Sequence, residues 1–169
     1  INDSGVVTGY SNNELGTAAF RWDATNGMIG LPDFSGGLVD GVGNDINNVG
    51  QVIGDAFGPL SMRAVRWDGE TILDLGDLGG NSKSAFTTSI NNAGQVTGSS
   101  TTPDDGTPPF LWDPATGMRN LGHLPLGPNV GSAMHVNESG LVVGYSFTNE
   151  GERAFRWDPA NGIMSLNDI

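Results

Sequence analysis

The chain has 169 residues and a formal net charge of −12, with seven Lys plus Arg against 19 Asp plus Glu. Such a surface repels phosphate backbones and anionic lipid heads, so no direct nucleic-acid binding is expected. Cysteine is absent, which removes disulfides, thiol nucleophiles and thiolate metal sites, and 15% charged residues beside 27 glycines leave Asn, Ser, Thr and Gly to supply the polar surface of an all-β chain.

The acidic balance suits either cation binding or a solvated surface that keeps the chain soluble, and the second is the expectation. No apolar run approaches the roughly 20 residues of a membrane span, so no membrane insertion is expected of this segment. The sequence opens Ile1-Asn2-Asp3 with neither Met nor signal peptide, the form of a mature fragment or an excerpt.

Taken in order, the chain first shows a turn of the form apolar-Asn-x-x-Gly, at Ile1 to Gly5. It returns at Ile46 to Gly50, Ile90 to Gly94 and Val136 to Gly140. Asn bonds its own backbone, and Gly5, Gly50, Gly94 and Gly140 supply the positive φ that a tight turn demands. Each turn leads into a β-branched strand closed by glycine: Val6-Val7-Thr8-Gly9, Gln51-Val52-Ile53-Gly54, Gln95-Val96-Thr97-Gly98 and Leu141-Val142-Val143-Gly144. That second glycine predicts a close backbone approach or a bulge.

Next comes Ala19-Phe20-Arg21-Trp22-Asp23, repeated as Ala64-Val65-Arg66-Trp67-Asp68, Pro109-Phe110-Leu111-Trp112-Asp113 and Ala154-Phe155-Arg156-Trp157-Asp158. Trp22, Trp67, Trp112 and Trp157 are all the tryptophans of the chain and stand 45 residues apart. Period-two alternation puts Phe20 and Trp22 on one face and Arg21 and Asp23 on the other. A turn follows, then a short strand ending on Leu31, Leu75, Leu121 or Leu166. Gly-rich connections such as Ser35-Gly36-Gly37 and Gly79-Gly80-Asn81-Ser82 lead to small-residue strands, of which Ser84 to Ser89 and Gly131 to His135 are two copies.

Four short strands in about 45 residues, without helical periodicity, make one propeller blade. The expected architecture is an all-β propeller formed as a single repeat domain over 1–169, with units 1–45, 46–89, 90–135 and 136–169. The tryptophans are then inter-blade packing residues. The turn at Ile1 has no small-residue strand before it, so the first blade lacks one strand, and fifteen strands stand where four whole blades need sixteen. Ile1 and Asn2 with Asp168 and Ile169 mark an edge: the expectation is that the preceding strand was cut off with the start of the sequence, and the alternative is that a neighbouring copy supplies it.

Candidate chemistry is sparse. Asp23, Asp68, Asp113 and Asp158 recur, but an Asp that ends a strand before a Pro/Gly turn caps that turn. Asp33, Asp40, Asp45, Asp77, Asp104 and Asp105 follow no pattern of their own, and neither do His123 and His135. No metal site and no cofactor are therefore expected. Calcium at the acidic turns would suit oxygen ligands, although the twelve-residue loop pattern is missing. Arg21, Arg66 and Arg156 are expected to pair with a nearby Asp or stack on a ring, the alternative being a ring of donors for a carboxylate or sugar. The Pro/Asp-rich stretch Thr101 to Pro109 sets the third unit apart and is where a protein or glycan partner would bind.

The motifs Ile-Asn-x-x-Gly-x-Val-x-Gly, Ala-Phe-x-Trp-Asp and Gly-Met-x-x-Leu-Gly-x-Leu-Gly-Gly resemble the HAF family of extracellular repeats over essentially the whole chain. Gly76-Asp77-Leu78-Gly79-Gly80 is the closest local match. The family's initial His is replaced here by Ala19, Ala64, Pro109 and Ala154. The resemblance implies a bacterial surface or secreted location and a tandem array, and it lends no catalytic residues. Three functions follow as expectations: a non-catalytic extracellular scaffold or binding module, a structural subunit joined by strand exchange into an assembly or fibre, and a carboxylate-dependent glycan-active enzyme.

Overall fold

The computed structural model describes residues 1–14, 16–34, 41–57 and 61–168, with Asn13 and Asp168 as backbone only. Ser35-Gly36-Gly37, Asp40 and Ile169 lie outside the described residues. Among the described residues fifteen strands follow one another: β1 (Val7–Asn13), β2 (Gly16–Asp23), β3 (Gly27–Gly30), β4 (Gly41–Ile46), β5 (Val52–Phe57), β6 (Met62–Asp68), β7 (Thr71–Asp74), β8 (Ala85–Ile90), β9 (Val96–Ser100), β10 (Pro109–Asp113), β11 (Gly117–Asn120), β12 (Gly131–Val136), β13 (Val142–Thr148), β14 (Gly151–Asp158) and β15 (Gly162–Ser165). A 3₁₀ turn at Leu166–Asp168 is a departure from the strand-only expectation.

The strands form four antiparallel meanders, β1-β2-β3, β4 to β7, β8 to β11 and β12 to β15, which are the blades of a β-propeller. One register repeats in all of them. The tryptophans Trp22, Trp67, Trp112 and Trp157 stand opposite Val7, Val52, Val96 and Val142. Gly9, Gly54, Gly98 and Gly144 stand opposite Phe20, Val65, Phe110 and Phe155. The leucine expected to end each short strand falls one residue beyond it, yet Leu31, Leu75 and Leu121 still donate their N–H to the carbonyls of Ala19, Ala64 and Pro109. Blade and sequence unit are offset by one strand, because the strand closing one unit opens the next blade.

Those opening strands β4, β8 and β12 lie against one another and against the preceding sheet, whereas β3, β7 and β11 pack within their own sheet. The small-residue strands are thus the inner ones. Each carries a β-bulge, at Asn44, Thr88 and Met134, that adds one residue against its neighbour. The glycine of the following strand is sterically required there: a Cβ on Gly54, Gly98 or Gly144 would fall on the carbonyl oxygen of Val42, Phe86 or Ser132.

Three apolar clusters fill the gaps between successive blades. Val6, Ala19 and Leu31 of the first blade meet Ile46, Val52, Val65 and Trp67 of the second. Ile53, Ala64 and Leu75 meet Ile90, Val96, Phe110 and Trp112, and Leu111, Leu121 and Leu124 meet Val136, Val142, Phe155 and Trp157. Each tryptophan therefore belongs to the face turned toward the preceding blade, and the alanine and leucine to the face turned toward the following one. Among the described residues no cluster joins the first blade to the fourth.

The end blades show the consequence. Trp22 is 38% exposed while Trp67, Trp112 and Trp157 are at 1%, 8% and 3%. Val7 and Phe20 are half-buried where their counterparts are fully covered. At the other end Ala154 is exposed and Leu166 is 40% accessible, against 5%, 4% and 5% for Leu31, Leu75 and Leu121. Trp67, Trp112 and Trp157 thus pack between blades, whereas Trp22, on the first blade, is part-exposed because among the described residues no blade lies against its face. Trp67→Ala removes a buried indole and should cost about 3–5 kcal/mol in urea unfolding, while Trp22→Ala should cost less than about half as much.

Candidate functional site

The repeated polar residues form a track along the blade junctions. Asn2 Nδ2 donates to the carbonyl of Asn47, Asn47 Nδ2 to that of Asn91, and Asn91 Nδ2 to that of Asn137, each at 3.0 Å. The Oδ1 of the same side chain accepts backbone N–H groups of its own turn, for example Gln51 N on Asn47 and Gln95 N on Asn91, both at 2.9 Å. One residue both closes a turn and ties it to the next blade. A second rail runs beside it: Asp3 N donates to Asn48 Oδ1, Asn48 N to Asn92 Oδ1, and Asn92 N to the Glu138 carboxylate. Gly5, Gly50, Gly94 and Gly140 complete these turns at φ of 75°, 90°, 79° and 78°.

The inner-strand bulges add a third set of links. Asn44 Nδ2 reaches Thr87 O at 2.9 Å and Thr88 Oγ1 reaches Ala133 O at 2.6 Å, the same contact one blade apart. Asp55 accepts from Thr87 N at 2.8 Å and from Asn44 Nδ2 at 2.8 Å. Burial pushes its carboxyl above the ordinary value of 3.8, and these donors only partly offset it. Asp45 Oδ2 accepts Ile90 N, and at the equivalent position of the next two blades Ser89 Oγ meets His135 Nδ1 at 2.9 Å. Sequence spacing gave no sign of this pair, because neither residue recurs and they lie 46 positions apart. A hydroxyl beside an imidazole has the outline of a nucleophile and base, but Ser89 is 2% exposed, which leaves the hydroxyl as a junction contact.

The recurring aspartates cap their own turns. Asp23 Oδ1 accepts Thr25 N and Asn26 N, Asp158 Oδ1 accepts Ala160 N and Asn161 N, and Asp113 Oδ1 accepts Ala115 N. Asp68 instead accepts Gln51 Nε2 at 2.7 Å. Arg21, Arg66 and Arg156 pair with Asp23, Asp68 and Asp158 at 2.8, 2.9 and 2.9 Å. The Arg66 guanidinium also lies 5.3 Å from the Trp112 ring centre. In the third blade, where Leu111 replaces arginine, Arg119 from the next strand stacks on Trp157 at 5.1 Å. The arginines are thus partnered to aspartate and indole rather than gathered into a ring of free donors.

The remaining acids stay apart. Asp33 is buried, Asp77 pairs with Arg63 at 3.1 Å, and Asp104 and Asp105 sit exposed in the third-blade loop with His123 exposed elsewhere. Among the described residues no group of three His, Asp or Glu could hold a metal ion, and no helix is long and apolar enough to cross a membrane. The third-blade loop is tied down: Asp105 N donates to Thr102 O, Thr107 N to Asn129 O and Gly131 N to Thr107 O. It presents Pro103, Asp104 and Asp105 to solvent on a fixed base. At the expected assembly edge, Ile1 is 81% exposed and Asn2 is held in the ladder.

Asn91 is 2% exposed with donor and acceptor both engaged, so Asn91→Ala should cost about 2–3 kcal/mol, whereas the exposed Asn137 should cost under about 1 kcal/mol; urea midpoints decide between them. Acid stability has a definite sign. Hydrogen bonds from Asn26 hold the Asp23 carboxyl at about 2, and those from Gln95, Asn161 and Thr102 hold Asp113, Asp158 and Asp104 below 3.8. Their contribution is complete above the ordinary value of 3.8 and is lost as pH falls below it, for Asp23 through about 2, while Asp55, shifted upward, works in the opposite sense. Four groups against one should make urea midpoints decline from pH 4 to pH 2, with carboxyl NMR titrating Asp55 before Asp23, Asp104, Asp113 and Asp158 as acid is added.

No protein-family model matches the chain, and no curated protein matches it in sequence. Among solved structures it is similar to the crystal structure of TolB from Acinetobacter baumannii, with a TM-score of 0.67 and 10% identity over 96% of this chain and 43% of that one. The chain spans less than half the length of that protein, and the likeness carries the β-propeller fold.

Proposed function

We propose that the chain is a non-catalytic β-propeller scaffold and binding module of a bacterial surface or secreted protein. The supporting observation is that the repeated chemistry-bearing side chains are engaged in building the array. The asparagines link blades, the aspartates cap turns or hold a neighbouring glutamine, and the arginines lie on aspartate or indole. What individualises the chain is peripheral: the anchored third-blade loop, with Pro103, Asp104 and Asp105 outward, is the surface for a protein or glycan partner. This reading requires no cofactor and no calcium. The extracellular location rests on the resemblance to HAF repeats.

A second reading, a structural subunit joined at the incomplete blade, is favoured by the exposure of Trp22. A glycan-active enzyme would need two carboxylates at a set separation, one with a raised pKa. Burial raises the Asp55 carboxyl, and its oxygens face Asn44 and Thr87. The test is a panel of immobilised glycans and peptides, followed by mass spectrometry of the bound ligands. We expect capture that weakens when Asp104 and Asp105 are both changed to Asn, with the ligands recovered intact. Cleaved glycan that stays intact with an Asp55→Asn variant would install the enzymatic reading instead.

A further inference from the structure

We infer that Asn26 and Asn161 are latent deamidation sites, each held closed by the aspartate that opens its turn, Asp23 or Asp158. Asn-Gly occurs twice in the chain, at Asn26-Gly27 and Asn161-Gly162, and both times it closes the turn after a Trp-Asp strand. Such a bond is prone to self-modification, because glycine has no side chain to shield its nitrogen. Nor is the glycine readily exchanged: Gly27 and Gly162 sit at φ of 71° and 73°, where other L-residues are strained. A Cβ at either position would meet nothing within 4 Å, so the glycine side of the bond is open to water. The corresponding turns of the middle blades carry no amide there, with Gly69-Glu70 in one and Thr116-Gly117 in the other.

In the reaction the glycine nitrogen attacks the asparagine Cγ. The new N–Cγ bond closes a succinimide, the Cγ–Nδ2 bond breaks, and ammonia leaves with the proton given up by the glycine nitrogen. Water then opens the imide at one carbonyl or the other, leaving aspartate or isoaspartate. Closure needs Cγ aligned on the nitrogen that follows it, and the aspartates oppose that alignment. Asn26 Nδ2 donates to both Asp23 oxygens at 3.1 Å, and Asn161 Nδ2 to those of Asp158 at 2.9 and 3.1 Å. The backbone N–H groups of Asn26 and Asn161 donate to the same carboxylates at 2.8 Å. Each amide is thus drawn back toward the head of its turn, away from the glycine. Arg21 and Arg156 fix the carboxylates from the strand side, at 2.8 and 2.9 Å. Donation from the asparagine holds each carboxyl below 3.8, so the aspartates stay ionised across the neutral and alkaline range in which the glycine nitrogen loses its proton. The product reverses the contact: a second carboxylate faces Asp23 or Asp158 in place of a donor, and isoaspartate adds a methylene to the backbone where β2 turns into β3 or β14 into β15.

The experiment holds the whole folded chain in mildly alkaline buffer and follows deamidation at residues 26 and 161 separately by peptide mass spectrometry, with the urea-unfolded chain as reference. We expect both sites to react about tenfold or more slowly in the folded chain. Asp23→Ser keeps a hydroxyl to cap the turn but cannot hold the amide with two oxygens. It should speed reaction at Asn26 by about tenfold or more and leave Asn161 at the parent rate, and Asp158→Ser should do the reverse. Equal rates at Asn26 in Asp23→Ser and the parent chain overturn the inference. Acceleration at both sites by a single substitution traces the protection to the fold at large, and a slower Asn26 in Asp23→Ser makes the carboxylate a base for the reaction; each result overturns it. A folded chain that deamidates as fast as the unfolded one overturns it as well.

Discussion

Every blade has two apolar faces and can bury neither alone. The dependence is directional: a tryptophan, a valine and an aromatic or valine look back, while a leucine, joined by an alanine at the first two junctions, looks forward. A large indole packs against a forward face that sets a small residue such as Ala19 or Ala64 beside a leucine at the first two junctions, and against Leu111, Leu121 and Leu124 at the third. The step of 45 residues follows from this constraint, since the same face must meet the same complement at each junction. Gly54, Gly98 and Gly144 of β5, β9 and β13 follow too, because an inner strand drawn close beside them leaves no room for a Cβ next to its carbonyl.

Polar groups at the junctions meet a second demand. Turn backbones near a dry interface need partners, and the asparagine at the start of each turn satisfies its own loop while its amide crosses to the next. The bulged inner strands extend the principle with other chemistry, an amide at Asn44 and a hydroxyl at Thr88 reaching equivalent carbonyls. Identity varies while the contact stays. Arginine behaves alike: where Leu111 removes it from one strand, Arg119 approaches the following indole from the next.

This explains which parts were legible in the sequence. The blades, their order and the three-stranded first sheet rest on residues whose type is forced, namely Trp, Gly and the Asn turn, so period alone revealed them. The paired faces of Phe-x-Trp followed from alternation. The Asn44 and Thr88 links and the Ser89–His135 pair were hidden, because only geometry is repeated there and the partners are 43 to 46 residues distant. The exposure of Trp22 was missed for a related reason. A motif read in isolation gives the residue's role within an interface and is silent on whether the other half of that interface belongs to the chain.

Core clusters that join only adjacent blades have a consequence for how the molecule comes apart and how it changes length. Cohesion is nearest-neighbour in kind, so the two middle blades are clamped from both sides and the outer two from one. Opening fluctuations should start at the ends and move inward, giving amide exchange that slows from β1 and β15 toward β5 and β9. The same locality frees the number of blades from the chemistry of any one of them. A whole unit inserted or lost in register leaves each surviving junction with the contacts it had, so duplication can lengthen such a chain without redesigning its core.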